Sequence, residues 1–453
     1  MRKLFTLISL VMSLTSLSMC LWSPHNVRAM TPHAPRADDT TIVYVKDNKE
    51  LRLIQPDGSN DRLIWQFPDG ASGGIMSVAW RPDGQQIAFT SSHEATCSEF
   101  DADIYLINPD GSNLHRLTNA PGCSLLAAYP QGSASVQVEN RLTNVNQVLV
   151  YIEGAPTAKV VSLPPGSTTT VVFAQVADLG AGVQQNAVVI NGNTRWFDAA
   201  VHADIVSGEN RHAGKLTLAA EGSKAYGAYH ISWNPAGDTL AYQFGQGSLW
   251  RVGLDVPILS EGGPLLDPQT NNSILGRAPV WSPISNQFLY EDFGNRPPSI
   301  VRAEVGSTDA GTPLAHVVFS SGIAWLSDGS GFVVADDDDL LSHTDLYLMR
   351  FENNSITQLT QTAAHEAAAF PKVSADSAQL VYVYVPDVTA NPVSYQLRIM
   401  NIDGSNDHLL VEGGTRADWS RVAPQNPIAT PTPQVTPTPQ SGTMSIYLPL
   451  LKR

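Results

Sequence analysis

Charged residues are scarce in this sequence, and those present are mostly acidic. Asp, Glu, Lys and Arg make up 15% of its 453 residues, and the formal net charge at pH 7 is −15. Proteins that bind nucleic acid contact the phosphates through clustered Lys and Arg. The composition therefore argues against a nucleic-acid partner and leaves sugars, cations and basic surfaces open.

Long apolar runs are missing after the first residues. No later segment has the ~18 uninterrupted apolar residues that a transmembrane helix needs, so we expect no membrane-spanning segment. The chain starts MRKLFTLISLVMSLTSLSMCLW, in which two basic residues precede an apolar stretch. With small residues up to Ala29, this predicts a secretory signal over 1–29. Lipidation of Cys20 is the alternative, which the bulky Met19 before it disfavours.

Cysteine is almost absent once the signal is removed, because only Cys97 and Cys123 remain. A pair of cysteines in an oxidising compartment favours a disulfide. Two free thiols or part of a metal site are the alternatives. We expect a protein that is secreted, extracellular or held in the cell envelope.

Glycine and proline are plentiful, with 34 and 31 residues, which is typical of turn-rich all-β proteins. The segment SVAWRPDGQQIAFTSS, read as strand, turn and strand, recurs as ISWNPAGDTLAYQF, VWSPISNQFLYED, IAWLSDGSGFVVADD and KVSADSAQLVYVYV. From Trp233 onward the anchors lie 44 to 48 residues apart by subtraction, the length of a four-stranded propeller blade. The anchors are Trp80, Trp233, Trp281, Trp325, Val373 and Trp419.

A second hairpin follows the first in several copies. DIYLINPDGSNLHRLT, TDLYLMRFENNSITQLT and YQLRIMNIDGSNDHLLV each read as strand, tight turn and strand, and Asp-Gly pairs suit hairpin turns. The N-terminal TIVYV, ELRLIQPDG and NDRLIWQF lack a first strand, whereas RADWS near the C-terminus lacks the other three. The two ends therefore predict one shared blade, and the count predicts six blades.

The repeat resembles that of TolB-type β-propellers, a WD-like family. The residues that carry the resemblance run from Val78 to Phe89 and from Asp103 to Thr118, and the repeat spans about 280 residues. The resemblance implies an all-β, six-bladed propeller closed by both termini, secretion or a periplasmic location, and a binding role. The same repeat also occurs in propellers attached to prolyl-oligopeptidase-like hydrolases.

An insertion interrupts the repeat. Trp80 and Trp233 are 153 residues apart by subtraction, where one blade needs about 45. Alternating strands between turns over 124–224 predict an inserted Ig-like β-sandwich domain. The propeller then comprises 40–123 and 225–422.

The C-terminal region changes in composition. A Pro/Thr-rich linker is predicted over 423–440. Residues 441–453 form a short apolar and basic tail, which is either a loose end or a sorting or docking strand. It is too short to span a bilayer.

Candidate binding residues lie in or beside the loops that join the second and third strands of the blades. In a propeller these loops share one face with the connections between blades, and therefore with the insertion. A disulfide between Cys97 and Cys123 would hold the base of the insertion there. The candidates for an acidic binding face are His93, Glu94, Glu291, Asp292, Asp336, Asp337, Asp338, Asp339 and His343.

Catalytic and metal motifs are weak. GASGG before the first anchor matches G-x-S-x-G, but it precedes a strand and not the strand-to-helix turn of a hydrolase. Asp336 and Asp338 are weak Ca²⁺ candidates, because adjacent carboxylates on an extended chain point apart. We therefore expect no catalytic residue and no cofactor beyond that weak Ca²⁺ candidate.

These observations predict a monomeric, non-catalytic protein that binds a protein or a glycan. It would use the face formed by the acidic loops and the insertion. One alternative is a polysaccharide lyase or hydrolase acting at the acidic channel mouth, with His343 and Asp338 required for turnover. Another is a structural protein of the envelope.

Overall fold

A computed structural model describes most of the chain between residues 41 and 420. The predicted signal, linker and tail lie outside the described residues, and no described helix is long and apolar enough to cross a membrane. The described ranges are 41–71, 73–98, 100–118, 122–191, 194–219, 223–224, 227–245, 248–254, 263–265, 274–292, 298–305, 311–316, 320–337 and 343–420.

The described residues form an all-β protein, which confirms the predicted class. Two short 3₁₀ turns, Ala95–Cys97 and Leu126–Ala128, are the helical segments in these ranges. The first seven strands are β1 (Ile42–Lys46), β2 (Glu50–Ile54), β3 (Arg62–Gln66), β4 (Ile75–Trp80), β5 (Ile87–Ser91), β6 (Asp103–Ile107) and β7 (His115–Arg116).

The insertion contributes eight strands in two sheets. They are β8 (Gln131–Asn140), β9 (Gln147–Ile152), β10 (Lys159–Ser162), β11 (Thr168–Ala177), β12 (Gln184–Asn191), β13 (Thr194–Asp204), β14 (Asn210–Leu218) and β15 (Ser223–Lys224). One sheet has the order β10-β9-β12-β13-β15 and the other β11-β8-β14, with β8 and β14 parallel. Both sheets bury their inward side chains in one hydrophobic cluster. The Ig-like assignment stays a prediction.

The remaining strands return to four-stranded antiparallel meanders. They are β16 (Ala228–Trp233), β17 (Thr239–Phe244), β18 (Ser248–Gly253), β19 (Gly263–Pro264), β20 (Arg277–Trp281), β21 (Gln287–Asp292), β22 (Ser299–Glu304), β23 (Thr312–His316), β24 (Ser320–Trp325), β25 (Gly331–Asp337), β26 (Thr344–Arg350), β27 (Ser355–Gln358), β28 (Ala367–Val373), β29 (Gln379–Val385), β30 (Gln396–Asn401), β31 (His408–Glu412) and β32 (Gly414–Trp419).

Six four-stranded units result from this pairing. Unit 1 has the order β3-β2-β1-β32 and joins the two ends of the described chain, as the sequence predicts. Units 2, 3 and 4 are β4–β7, β16–β19 and β20–β23. Units 5 and 6, β24–β27 and β28–β31, are linked by one parallel pairing of Thr344 with Ala367. The arrangement is of the β-propeller type.

The inner strands, β32, β4, β16, β20, β24 and β28, contact one another in that order, and β28 contacts β32. Side chains link their backbones. The N–H of Trp80 donates to Asp418 Oδ2 at 2.8 Å, and that of Trp281 donates to Ser232 Oγ at 2.9 Å. Trp419 Nε1 donates to the Lys372 carbonyl at 2.9 Å. The anchor tryptophans therefore pack as core residues, and all are at most 6% exposed.

The recurring D-[IL]-Y-L and L-T motifs form a polar clasp. Thr118 Oγ1 donates to Asp103 Oδ1 at 2.7 Å and accepts the Ile104 N–H at 3.0 Å. Thr360 makes the same pair of bonds with Asp345 Oδ1 and the Leu346 N–H. The motif thus fixes the third strand of a unit against the segment after its fourth.

The Asp-Gly-Ser segments are hairpin turns. In one of them Asp110 Oδ1 accepts the Ser112 N–H at 2.9 Å, and Gly111 has φ +85°. A Cβ at Gly111 would lie 2.8 Å from the Ile64 carbonyl oxygen of unit 1. These bonds explain the motif without a metal ion.

Replacing Gly111 by alanine should lower the free energy of unfolding by about 1–2 kcal/mol from the left-handed φ, with a further loss from the contact with Ile64. Gly166 has φ +74° and open space around it. The loss of unfolding free energy for Gly166→Ala should therefore come from the left-handed φ alone. Guanidinium titrations should show a larger loss for Gly111→Ala; equal losses would contradict the packing argument.

Candidate binding surfaces

The loop between β5 and β6, residues 92–102, was expected to be an exposed recognition loop. The structure instead packs His93 against aromatic rings, with centroids 4.9 Å from Trp65 and 4.4 Å from Tyr105. Burial and the charge of Arg116 lower the pKa of His93 to about 3. His93 is therefore a neutral side chain that packs against aromatic rings.

Glu94 belongs to a buried charge cluster in the same loop. Its Oε2 lies 3.5 Å from Arg116 Nη1 and accepts the Tyr105 hydroxyl at 3.1 Å, and its Oε1 accepts the Cys123 N–H at 3.0 Å. Arg116 Nη1 also lies 3.6 Å from Asp103 Oδ2. Burial raises the pKa of Glu94, and the attraction of Arg116 offsets this only in part. Glu94 therefore stabilises the loop internally.

The insertion is fastened to this loop. Cys97 and Cys123 form the predicted disulfide, with Cα atoms 5.9 Å apart. The Tyr151 hydroxyl donates to the Cys97 carbonyl at 2.8 Å. Arg195 Nη2 donates to the Phe100 carbonyl at 3.0 Å, and the Arg195 side chain is buried. The loop at 92–102 is therefore the seat of the insertion.

A metal site at this seat is not supported by its donor chemistry. Glu94, Cys97 and Cys123 place one ligand atom each within 4.8 Å of one another. The two sulfurs are bonded to each other, and metals bind the thiolate form of cysteine. The oxidised seat therefore offers the Glu94 carboxylate alone.

Glu291 is inside the protein rather than on an exposed face. Its side chain is fully buried and its Oε1 lies 2.8 Å from Arg277 Nη2, directly across the β20–β21 pair. A buried carboxylate needs such a partner to offset its lost hydration. Asp292 ends β21 beside it, is partly exposed and pairs in register with Ser299.

The acidic segment after β25 is described only in part. Asp336 is partly exposed and pairs in register with Asp345 of β26, while Asp337 pairs with Thr344. His343 Nε2 lies 3.7 Å from Asp345 Oδ2. Asp338 and Asp339 lie outside the described residues, so the Ca²⁺ and polysaccharide-cleavage hypotheses stay predictions.

A central cavity lies between the inner strands, and sequence reasoning missed it. It has a volume of about 50 Å³ and is lined by inner-strand residues from all six units. One residue in each unit, three positions before the anchor, reaches it. These residues are Ser77, His230, Ala278, Gly322, Phe370 and Arg416.

A distortion of the inner strands aims these side chains inward. The register of each inner strand against its neighbour shifts close to this position. His230, Ala278 and Phe370 have φ of +50°, +49° and +52°. Such β-bulges re-aim side chains. The repeat itself carried the signal, because the position three before each anchor could have been compared across copies.

Basic side chains line or adjoin the central cavity. Arg416 Cζ lies 3.7 Å from the centroid of the Phe370 ring. Lys372 Nζ lies 3.7 Å from Asp418 Oδ1. Burial, followed by the charges of Arg416, Arg277 and Lys372, lowers the pKa of His230 to about 3. Burial also lowers the pKa of Arg416 to about 10, so Arg416 remains charged at neutral pH.

A larger polar groove of about 320 Å³ lies between units 5 and 6. The charges in it pair with each other, because Arg398 Nη2 lies 3.1 Å from Asp407 Oδ2. The Tyr382 hydroxyl donates to Asp407 Oδ1 at 3.0 Å. Tyr384 stacks near Arg398, whose Cζ lies 5.5 Å from the ring centroid.

Comparisons with known proteins leave the chain without an assigned family, since no family model matches it. TolB from Acinetobacter baumannii is 14% identical, with a TM-score of 0.45; the alignment covers 84% of this chain and 66% of that one, slightly under two thirds. The nidogen/laminin complex gives 10% identity and a TM-score of 0.43, covering 84% and 98%. These similarities are too distant to carry an argument about function.

Proposed function

We propose that this protein is a secreted or envelope-held, non-catalytic binding protein. Its scaffold is a closed six-bladed propeller, and its recognition face combines the insertion with the later loops on the same side. The contacts among the six inner strands support the closed ring. The disulfide supports an oxidising compartment, where such bonds persist. The protein acts as a monomer towards a protein or glycan partner.

The observation that carries the proposal is the fixed seat of the insertion. The Cys97–Cys123 disulfide, the Tyr151 hydroxyl and the buried Arg195 side chain hold it at one loop. A rigid projection loses less conformational freedom on binding than a mobile one. The insertion is thus a pre-organised binding element.

Three of the candidate titratable groups have structural roles. His93 is packed between aromatic rings, Glu94 pairs with Arg116, and Glu291 pairs with Arg277. Acid–base catalysis needs a group within hydrogen-bond reach of a substrate proton. These three side chains are instead occupied within the protein, which favours binding over turnover.

The test compares capture by two baits from the native envelope and culture medium. One bait is the protein without residues 1–29. The other also lacks 124–224, has both Cys97 and Cys123 replaced by serine, and carries a short Gly/Ser bridge. We expect a specific protein or glycan on the first bait and a loss of at least ten-fold on the second. Circular dichroism checks that the second bait keeps its β-structure.

Two arginine variants test whether the attachment of the insertion to its seat matters, in addition to the presence of the insertion. Arg195→Ala keeps the insertion but removes its bond to the Phe100 carbonyl, whereas Arg211→Ala removes an exposed arginine of the same sheets. Retention should fall more for Arg195→Ala than for Arg211→Ala, because only Arg195→Ala loosens the insertion from its seat. Equal retention by the deleted bait and the full protein would rule out the proposed face.

A further inference from the structure

The central cavity contains a cation that the protein leaves available. Among the described residues, no carboxylate lies within 4 Å of the Arg416 guanidinium. Its contacts are the Thr415 carbonyl, which accepts from Nη1, and the Phe370 ring. A guanidinium has five N–H donors in one plane. Stacking on Phe370 uses the face of that plane and leaves its edge for an acceptor.

The nearby carboxylates are engaged elsewhere. Asp418 accepts the Trp80 N–H and lies near Lys372, and Glu291 pairs with Arg277. The opposite wall of the central cavity holds His230, with its ring centroid 6.5 Å from that of Phe370. Ala278 and Gly322 also line the cavity, with a methyl group and with no side chain respectively, and leave the space open.

We propose that the central cavity is a binding site for a carboxylate, which Arg416 holds through its guanidinium edge while His230 donates a second hydrogen bond. Arginine pairs with carboxylates bidentately, and such charge-assisted bonds are the strong ones. The volume of about 50 Å³ suits one small anionic group and excludes a nucleotide. The ligand is therefore a small organic acid or the carboxylate end of a peptide.

The position of this site fits a ligand that arrives at the binding face. The six side chains lie in the first halves of the inner strands, and each inner strand follows the connection from another unit. The long connection between β7 and β16 contains the insertion. The carboxylate site is therefore nearer the end of the cavity that faces the insertion.

The test titrates the folded protein without residues 1–29, at constant ionic strength, with sodium succinate and with a short peptide bearing a free C-terminus. Calorimetry should show saturable binding of at least one probe. Arg416→Gln should weaken it at least ten-fold. Arg302→Gln is the matched control, because Arg302 also stacks on a phenylalanine, Phe351, but lies outside the cavity. The Arg302→Gln variant should bind the probes with the affinity of the unaltered protein.

The same peptide with an amidated C-terminus is the third probe, and it identifies the source of the carboxylate. Binding of the free peptide but not the amidated one assigns the site to chain ends, and binding of succinate alone assigns it to small acids. Arg416→Lys replaces Arg416→Gln if the latter does not fold; it should bind several-fold more weakly, since an ammonium lacks the planar fork. No saturable binding of either probe, or unchanged binding by the folded Arg416 variants, overturns the proposal.

Discussion

Replacing Asp103 by alanine is expected to lower the free energy of unfolding by about 3–5 kcal/mol, because it breaks a buried charge cluster. The Arg116 side chain is fully buried and would keep Glu94 as its nearest carboxylate. Thr118 would also lose the acceptor of its hydroxyl. The measurement is a guanidinium titration followed by tryptophan fluorescence.

Glu209→Ala is the control for this variant. It removes the carboxylate of an Arg–Glu pair, 2.6 Å from Arg211 Nη2, in which both side chains are about half exposed. Water and salt screen such pairs, which contribute roughly 0–1 kcal/mol. A loss for Asp103→Ala no larger than for Glu209→Ala would mean that the cluster does not stabilise the fold.

Asp345→Ala separates the polar clasp from the ion pair. Asp345 holds Thr360 as Asp103 holds Thr118, but the basic side chain beside it is His343, 3.7 Å away, and not a buried arginine. The loss for Asp345→Ala should therefore be smaller than for Asp103→Ala. Asp345 also accepts from Gln358 Nε2 at 3.0 Å and from the Thr362 N–H at 2.9 Å, so a loss as large as that of Asp103→Ala would mean that these bonds match the contribution of Arg116.

The repeat, the shared unit and the disulfide were predictable because they depend on local or periodic signals. From Trp233 onward the anchors recur every 44 to 48 residues by subtraction, and the Asp-Gly-Ser turns are set by neighbouring residues. The pairing of β1 with β32 followed from which strands were missing at each end. Each of these features follows from a local motif or from comparing the copies of one repeat.

The chemistry of the candidate surfaces was not predictable in the same way. Glu291 appears acidic and loop-adjacent in sequence, and only the register of β20 against β21 brings Arg277 to it. His93 and Glu94 are partly covered by rings and charges from other strands. Arg416 lines the central cavity at a position where each inner strand has a register shift. The surroundings of these side chains depend on which strands pack together in three dimensions. The composition of the sequence does not contain that information.

The interior charges also change how the acidic composition should be interpreted. The net charge of −15 belongs to the chain as a whole, whereas the central cavity gathers Arg416, Lys372 and the field of Arg277 around His230. The net charge of the whole chain therefore does not predict the charge of this cavity.

Replacing both Cys97 and Cys123 by serine should lower the free energy of unfolding by about 3 kcal/mol, since the bond closes a loop between residues 26 apart in sequence. The variant would also release the base of the insertion, although Tyr151 and Arg195 would still bond to the loop. Guanidinium titrations with and without a phosphine reductant provide the measurement. Reductant should destabilise the unaltered protein to the level of the variant and leave the variant unchanged. If reductant leaves the unaltered protein equally stable, the disulfide does not hold the insertion, and the rigid seat must rest on Arg195 and Tyr151 alone.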